Sequence, residues 1–375
     1  MKIASLSVRD FRNLGSFDFQ PCGGVNIIYG DNAQGKTNLL EAVWLFTGAR
    51  SFRGTRDKDF IRRDSDLCSL LLGFEGEERD QSASLRYGEE RREVMLNEIK
   101  QERPSALGGV FCAVLFSPDH MSLVKNGPEH RRKMIDVSLS QAYPKYAKAL
   151  DNYSRALKQR NTLLKDISSN AQLLDMLDVW DKYVSDYGGY ISALRAGYIR
   201  RLDEHSQIIY DGISGGREKL SISYLPGFSG FKDGTDRYEC QRLLLEELLK
   251  SRGEDIRLGT TGAGPHRDDI DIKINDMSAR AFGSQGQQRS CVLAIKLAEC
   301  EILEQRNSEP PIVMLDDVMS ELDESRRRYL LNHLNGKQVI ITCCDTSAFG
   351  GMENGKVFEM KAGILSESGS LCGGE

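Results

Sequence analysis

No apolar run in this chain approaches the roughly 18 residues of a membrane-spanning helix. The opening MKIASLSVRDF alternates like a strand, where a secretory signal would be continuously apolar. A protein neither secreted nor embedded in a membrane is expected. The nine cysteines, Cys22, Cys68, Cys112, Cys240, Cys291, Cys300, Cys343, Cys344 and Cys372, include no C-x-x-C pair and are odd in number. They suggest neither a zinc site nor a disulfide framework, and a reducing cytoplasm suits them. Positive charge is not in excess: 50 Lys and Arg stand against 55 Asp and Glu, a net charge of −5. That balance excludes a uniformly basic nucleic-acid binder but leaves room for a local basic surface. Internal repeats and low-complexity tracts are also missing. What remains, at 375 residues and 40% hydrophobic content, is enough chain for two or three domains with a sizeable core.

The segment GDNAQGKT, comprising Gly30, Asp31, Asn32, Ala33, Gln34, Gly35, Lys36 and Thr37, fits G-x-x-x-x-G-K-[ST]. Its glycines let successive backbone N–H groups turn inward around the α- and β-phosphates, Lys36 reaches the β/γ oxygens, and Thr37 reaches a magnesium ion. The apolar VNIIY before it reads as a strand and KTNLLEAVWLF after it as a helix, whose N-terminus favours an anion. Far downstream, PPIVMLDD ends in Asp316 and Asp317. An apolar run closing on acids suits a buried parallel strand that delivers carboxylates at its C-terminal edge. Alone it is also an ordinary strand end; paired with the loop it points to ATP and Mg2+, with Asp316 holding the metal and Asp317 orienting the attacking water. Lys36 and Asp317 are the expected catalytic pair.

Some 280 residues separate Lys36 from Asp316, so the α/β nucleotide-binding head must be discontinuous. Residues 1–115 read as short strands, among them IASLSV, FDF, CSLLLGF and SASLRY, and carry the first part of the head. Residues 116–214 turn helical, with two stretches of apolar residues at helical spacing interrupted at Pro144 and at SSNAQ. They predict an antiparallel hairpin or small bundle, an arm or lid no longer than roughly 60 Å. Residues 215–375 return to the head, with a frayed tail expected over the last dozen.

A third element, FGSQGQQRSCVLAIKLAECEIL, places Ser284, Gly286 and Gln287 at a turn opening into a long amphipathic helix. A head already holding phosphates at residues 30–37 needs a second anion site only for a nucleotide held by another copy, which predicts a sandwich dimer. A helix capped locally by Ser and Gln is the plainer alternative.

With these motifs in place, the chain resembles the RecF family, ABC-type ATPases close to the heads of the structural-maintenance-of-chromosomes proteins. The likeness covers nearly the whole chain: FRNL at 11–14, GDNAQGKT, FSPDH at 116–120, GPEHRRKMID at 127–136, RALKQRNTLLK at 155–165, TTGAGPHRDD at 260–269, SQGQQR at 284–289 and LDDVMSELDESRR at 315–327. It implies an ABC-type P-loop head with mixed sheets and an inserted α-helical arm. Residues 30–37 would be Walker A, and Asp316 and Asp317 would end Walker B. Ser284, Gly286, Gln287 and Gln288 would form a signature touching the γ-phosphate across the dimer. Ser320 and Asp323 would lie in the D-loop, and Arg12 and Asn13 where related heads contact nucleotide.

The resemblance further implies an ATP-dependent clamp on single-stranded, duplex or gapped DNA, with slow, DNA-stimulated hydrolysis. The clamp would dimerise on ATP and work with RecR and RecO to load the RecA recombinase in repair, replication restart and the SOS response. Candidate DNA contacts are Arg131, Arg132, Lys133, Arg155, Lys158 and Arg160, with Arg195, Arg200 and Arg201 on the second helical stretch; a merely solvated basic face is the alternative. The chain departs from related heads in ending Walker B with Asp-Asp instead of Asp-Glu, which suggests slow turnover. It has Thr342-Cys343-Cys344-Asp345 where a switch histidine often stands, and no Q-loop glutamine is placed. His266 is either functional or part of a structural turn in which Arg267 pairs with Asp268 or Asp269. A transporter-type ATPase subunit or a chromosome-structuring ATPase are the rival readings; an arm of about 80 residues fits neither a continuous transporter head nor a long rod.

Overall fold

A computed structural model describes residues 1–54, 56–77, 79–89, 91–167, 170–345 and 355–371. They form two compact units, Met1–His120 with Ile295–Glu375, and Met121–Ala294.

The first unit is built on two six-stranded sheets. One runs Ile364–Leu371, Gly355–Lys361, Val25–Tyr29, Val339–Cys343, Ile312–Asp316, Ala113–Phe116, and its last five strands are mutually parallel. Every residue of AVLF, IVMLD and VIITC is buried, as a parallel sheet covered on both faces requires. Asp316 pairs with Thr342 and Cys343 with Tyr29, so the ends of the three central strands come out at one edge of the sheet. The other sheet, Phe17–Phe19, Lys2–Arg9, Leu67–Glu75, Asp80–Gly88, Arg92–Leu96, Ile99–Gln101, is antiparallel throughout. Leu6, Val8, Leu70, Leu72, Phe74 and Leu85 alternate onto its buried face. Gln338 joins the two sheets: it accepts from Ile3 N at 2.6 Å and donates to Ile3 O at 3.0 Å and Cys22 O at 2.8 Å.

Two sequence expectations change here. The tail does not fray along its length, because Ile364–Leu371 is a strand hydrogen-bonded to Gly355–Lys361; residues 372–375 lie outside the described residues. The return to the head comes at Ile295 and not at 215.

The second unit therefore holds more than an arm. Its helices Pro128–Ala142, Pro144–Ile167, Leu177–Ser214 and Arg237–Leu258 pack with a sheet ordered Met277–Ser278, Asp269–Ile274, Leu220–Leu225. Pro144 ends one helix and begins the next, as its fixed φ allows only at a helix start. The Gly188-Gly189 doublet explains why Arg237–Leu258 stays with the arm. A Cβ would lie 2.4 Å from Leu244 at Gly188 and 2.6 Å from the Gln241 backbone at Gly189. Each glycine costs about 1 kcal/mol of helix stability relative to alanine, and the close helix contact is what it permits.

Buried ion pairs tie these helices together. Arg160 is fully buried and donates to Asp181 at 2.6 Å, Asp255 at 2.7 Å and Thr261 at 2.8 Å. Arg195 donates to Asp136 at 2.8 Å, Asp268 at 2.7 Å and Pro265 O at 2.6 Å. Arg131 is bidentate on Asp269 at 2.7 and 2.9 Å. Burial and these carboxylate pairings remove Arg131, Arg160 and Arg195 from the candidate DNA contacts. Arg132 donates to Asp268 O at 2.6 Å and Arg201 to Tyr143 Oη at 3.0 Å, while Lys133, Arg155, Lys158 and Arg200 are exposed.

Candidate nucleotide-binding site

Strand Val25–Tyr29 delivers the chain to the loop and helix Lys36–Trp44 takes it away. Two glycines are obligatory. Gly30 sits at φ 153° with Met360 O 2.3 Å from where a Cβ would stand, and Gly35 at φ 117° with Leu14 2.5 Å away. Gly35 caps the helix without a side-chain acceptor, and the first turn carries no acid, so the N-terminal N–H groups face the loop's interior. Gln34 anchors the loop from behind, accepting from Ala362 N at 2.6 Å on its side chain and from Gly363 N at 3.1 Å on its carbonyl. Lys36 curls over the loop, donating to Gly30 O at 2.5 Å and Asp31 O at 2.9 Å.

Thr37 Oγ1 donates to Asp316 Oδ1 at 2.8 Å, joining the loop to the acidic strand across the 279 positions between them. Thr342 on the neighbouring strand donates to the same oxygen at 2.9 Å and accepts from Asp317 N at 3.1 Å. Burial pushes the Asp316 carboxyl above the usual carboxylate range; hydrogen bonds from Thr37 and Thr342 pull it back, and Asp317 beside it adds to the rise. These groups edge a cleft of about 410 Å³ that also exposes Asn13, Asn32, Asn38 and Arg53. A carboxylate disfavoured as a bare anion, with a hydroxyl 2.8 Å away, is a hard-oxygen pair suited to Mg2+.

Asn13 reaches the cleft, donating to Ala33 O at 3.0 Å and accepting from Asn38 at 2.6 Å. Arg12 turns instead to Glu41, which is fully buried, at 2.5 and 2.7 Å, and stacks over Phe60. It braces the helix behind the loop. Asn38 and Arg53 line the cleft although the motif reading passed over them, and Thr342, noted there only as standing in the segment without a switch histidine, lines it too. Asn38 follows Thr37 directly, a readable cue, but Arg53, which donates to Asn38 at 2.5 Å, has no sequence signal beyond its charge.

The signature segment lies in the second unit up to Ala294. Ser284 Oγ accepts from Gln287 N at 3.2 Å while Gln287 Oε1 accepts from Ser284 N at 2.7 Å, a reciprocal cap on helix Gln285–Asn307. Gln288 is turned inward and buried, donating to Ala279 O at 3.0 Å, which removes it as a γ-phosphate contact. In the D-loop segment, Ser320 Oγ donates to Asp317 O at 2.9 Å, and Asp323 caps helix Glu324–His333 by accepting from Arg326 N at 3.0 Å.

His266 is structural. Its ring meets Tyr153 Oη at 2.7 Å and Thr261 O at 3.0 Å, and burial lowers its pKa to about 4, so the imidazole is neutral near pH 7. Arg267 pairs with neither Asp268 nor Asp269, which are taken by Arg195 and Arg131; it donates to Thr261 O at 3.2 Å. Among the described residues no helix is long and apolar enough to cross a membrane.

A parallel-sheet head whose phosphate loop is joined to an acid at the end of the next strand but one, and whose chain is interrupted by a helical insertion, defines an ABC-type ATPase head of the structural-maintenance-of-chromosomes class. The family described as RecF/RecN/SMC N terminal domain matches residues 2–366. The chain is 39% identical to the DNA replication and repair protein RecF of Ruminiclostridium cellulolyticum over 370 residues, 97% of this chain and 99% of that one. It is 38% identical to the protein of the same name from Agathobacter rectalis over 350 residues, 93% and 94% of the two chains. The solved structure of the recombination mediator protein RecF with ATP, of the RecFOR pathway, superposes with a TM-score of 0.91 at 34% identity, covering 98% of each chain. The Smc head of Pyrococcus furiosus, at 16% identity, TM-score 0.56 and coverage of 99% and 96%, shares the fold. The chain belongs to the RecF family.

Proposed function

We propose that the chain is an ATP-gated DNA clamp of recombinational repair and replication restart. The observation that carries this reading is the 2.8 Å contact between Thr37 and Asp316, which assembles both halves of a Walker site in one cleft. The chain's relatives are named for DNA replication and repair, and a similar chain was solved with ATP in the RecFOR pathway.

ATP would seat its phosphates on the loop N–H groups between Gly30 and Thr37, with Lys36 exchanging its two carbonyl partners for phosphate oxygens. Thr37 and Asp316 would hold Mg2+, which when bound supplies charge neutralisation at the β- and γ-phosphates. Asp317 would orient the attacking water. Its carboxylate is one methylene shorter than glutamate, so hydrolysis should be slow and act as a timer. A second copy would dock its Ser284 turn on the bound nucleotide, and the two arms would then grip single-stranded, duplex or gapped DNA through Lys133, Arg155, Lys158 and Arg200. DNA would stimulate turnover. RecR- and RecO-type mediators would use the clamp to direct RecA loading in the cytoplasm, within the SOS response.

The test is DNA binding with ATP and with ADP, for the wild type and a triple Lys133→Ala, Arg155→Ala, Lys158→Ala variant. Binding should require ATP. The variant should bind DNA on the order of tenfold more weakly, with a salt dependence shallower by about one unit of slope for each phosphate no longer neutralised. Unchanged affinity and slope would remove the arm from the DNA-binding surface.

A further inference from the structure

We infer that Thr342 is a positioning residue of the nucleotide site, whose one hydroxyl sets both acids, Asp316 for the metal and Asp317 for the attacking water. The inference rests on the ATP and Mg2+ site proposed above and adds to it a residue from a strand that carries neither motif.

The strand ladder brings Thr342 there. Val339–Cys343 runs parallel to Ile312–Asp316 with Thr342 in register with Asp316, so one strand end supports the other. Thr342 Oγ1 lies 2.9 Å from Asp316 Oδ1, 3.1 Å from Asp317 N and 3.4 Å from Leu315 O. A hydroxyl has one proton to give. The carboxylate oxygen is the nearer and stronger acceptor, so the proton goes to Asp316, and a lone pair accepts from Asp317 N. Thr342 is fully buried, with donor and acceptor both engaged, so it serves the two acids and is not itself a metal ligand.

The two contacts fix different things. On Asp316, Thr37 and Thr342 both donate to Oδ1, at 2.8 and 2.9 Å, one from the loop and one from the sheet. Thr37 is itself an expected ligand. Thr342 is the donor outside the ligand set, and such a partner orients a ligating carboxylate and tunes it. On Asp317 the contact is to the backbone. Asp317 sits at φ 52°, in the left-handed region, where a residue other than glycine persists only with outside support. Thr342 holds its N at 3.1 Å and Ser320 Oγ holds its carbonyl at 2.9 Å, so the peptide that carries the second carboxylate is pinned at both ends.

Thr342→Val keeps the branched shape and removes the hydroxyl; Thr342→Ser keeps the hydroxyl and drops a methyl. The affinity for a fluorescent ATP analogue would be measured in EDTA and across a Mg2+ titration, with kcat and KM for ATP from phosphate release and thermal unfolding alongside. Thr342→Val should bind the analogue in EDTA as the wild type does, because the loop is untouched. The Mg2+ needed for half of the tightening of nucleotide binding should rise about tenfold, and kcat should fall about tenfold or more with a smaller change in KM. Thr342→Ser should recover most of both. If Thr342→Val matches the wild type in Mg2+ dependence and kcat, the inference is wrong while the ATP site stands. If Thr342→Ser is as impaired as Thr342→Val, the methyl and not the hydroxyl matters, which overturns it too. Equal weakening with and without Mg2+ would give Thr342 a merely structural role, against the inference. If Mg2+ does not tighten nucleotide binding to the wild type, the metal site falls and the inference falls with it.

Discussion

Lys36→Met should lower ATP turnover by about 10² to 10³ and weaken ATP binding by tenfold or more. The wild-type ammonium is mostly buried and bound to two loop carbonyls at 2.5 and 2.9 Å, so it is already aimed into the loop that would take the phosphates. Each charge-assisted hydrogen bond to a phosphate oxygen is worth about 1.5–3 kcal/mol. Methionine keeps the length of the side chain and removes the charge, which isolates the electrostatic part. Steady-state phosphate release with excess ATP, with a thermal unfolding curve as control for the fold, checks this. A variant that turns over within a factor of a few of the wild type would show that the loop does not hold the reacting phosphates.

Arg160→Ala should destabilise the second unit by about 3–5 kcal/mol and lower its midpoint of thermal unfolding by roughly 10 °C. The substitution strips a fully buried guanidinium from two carboxylates that stay buried. Asp181 keeps Arg252, but Asp255 is left with Gly262 N at 3.0 Å and Ser251 Oγ at 3.3 Å, too little to offset a desolvated charge. Arg155→Ala and Lys158→Ala, on the exposed face of the same helix, should stay within about 0.5 kcal/mol of the wild type. Calorimetry on the three variants separates the two cases. Equal stability of all three would mean that the Arg160 network contributes nothing net.

The contrast between Arg160 and its neighbours shows what was readable beforehand. Tyr146, Ala149, Tyr153, Ala156, Arg160, Leu163 and Ile167 are all buried and follow one helical stripe, so the period itself places Arg160 inside; its charge argued for solvent, and the period wins. Arg195 repeats the lesson, between Ile191 and Tyr198 on the buried stripe of the next helix. The phosphate loop was legible because its chemistry needs a fixed set of residues in one short window. Asp316 was legible because a buried parallel strand leaves a run of apolar residues. The extent of the second unit was not, since Arg237–Leu258 could as well have packed on the head. Only the Gly188-Gly189 doublet signalled a close helix approach, and nothing in it names the partner. Arg53 escaped for a related reason: it lies in a turn with no period to orient it, and its place at the cleft depends on the Asn38 amide, 15 positions away.

The central claim is a composite site closed by a second copy, and light scattering tests it most directly. Solution mass would be measured without nucleotide, with ADP, and with ATP and Mg2+, for the wild type and Ser284→Arg. The account predicts a chain of 42.0 kDa that doubles in mass only with ATP and Mg2+, and a variant that stays monomeric while still binding ATP. A mass that stays constant while the wild type demonstrably binds ATP would contradict it.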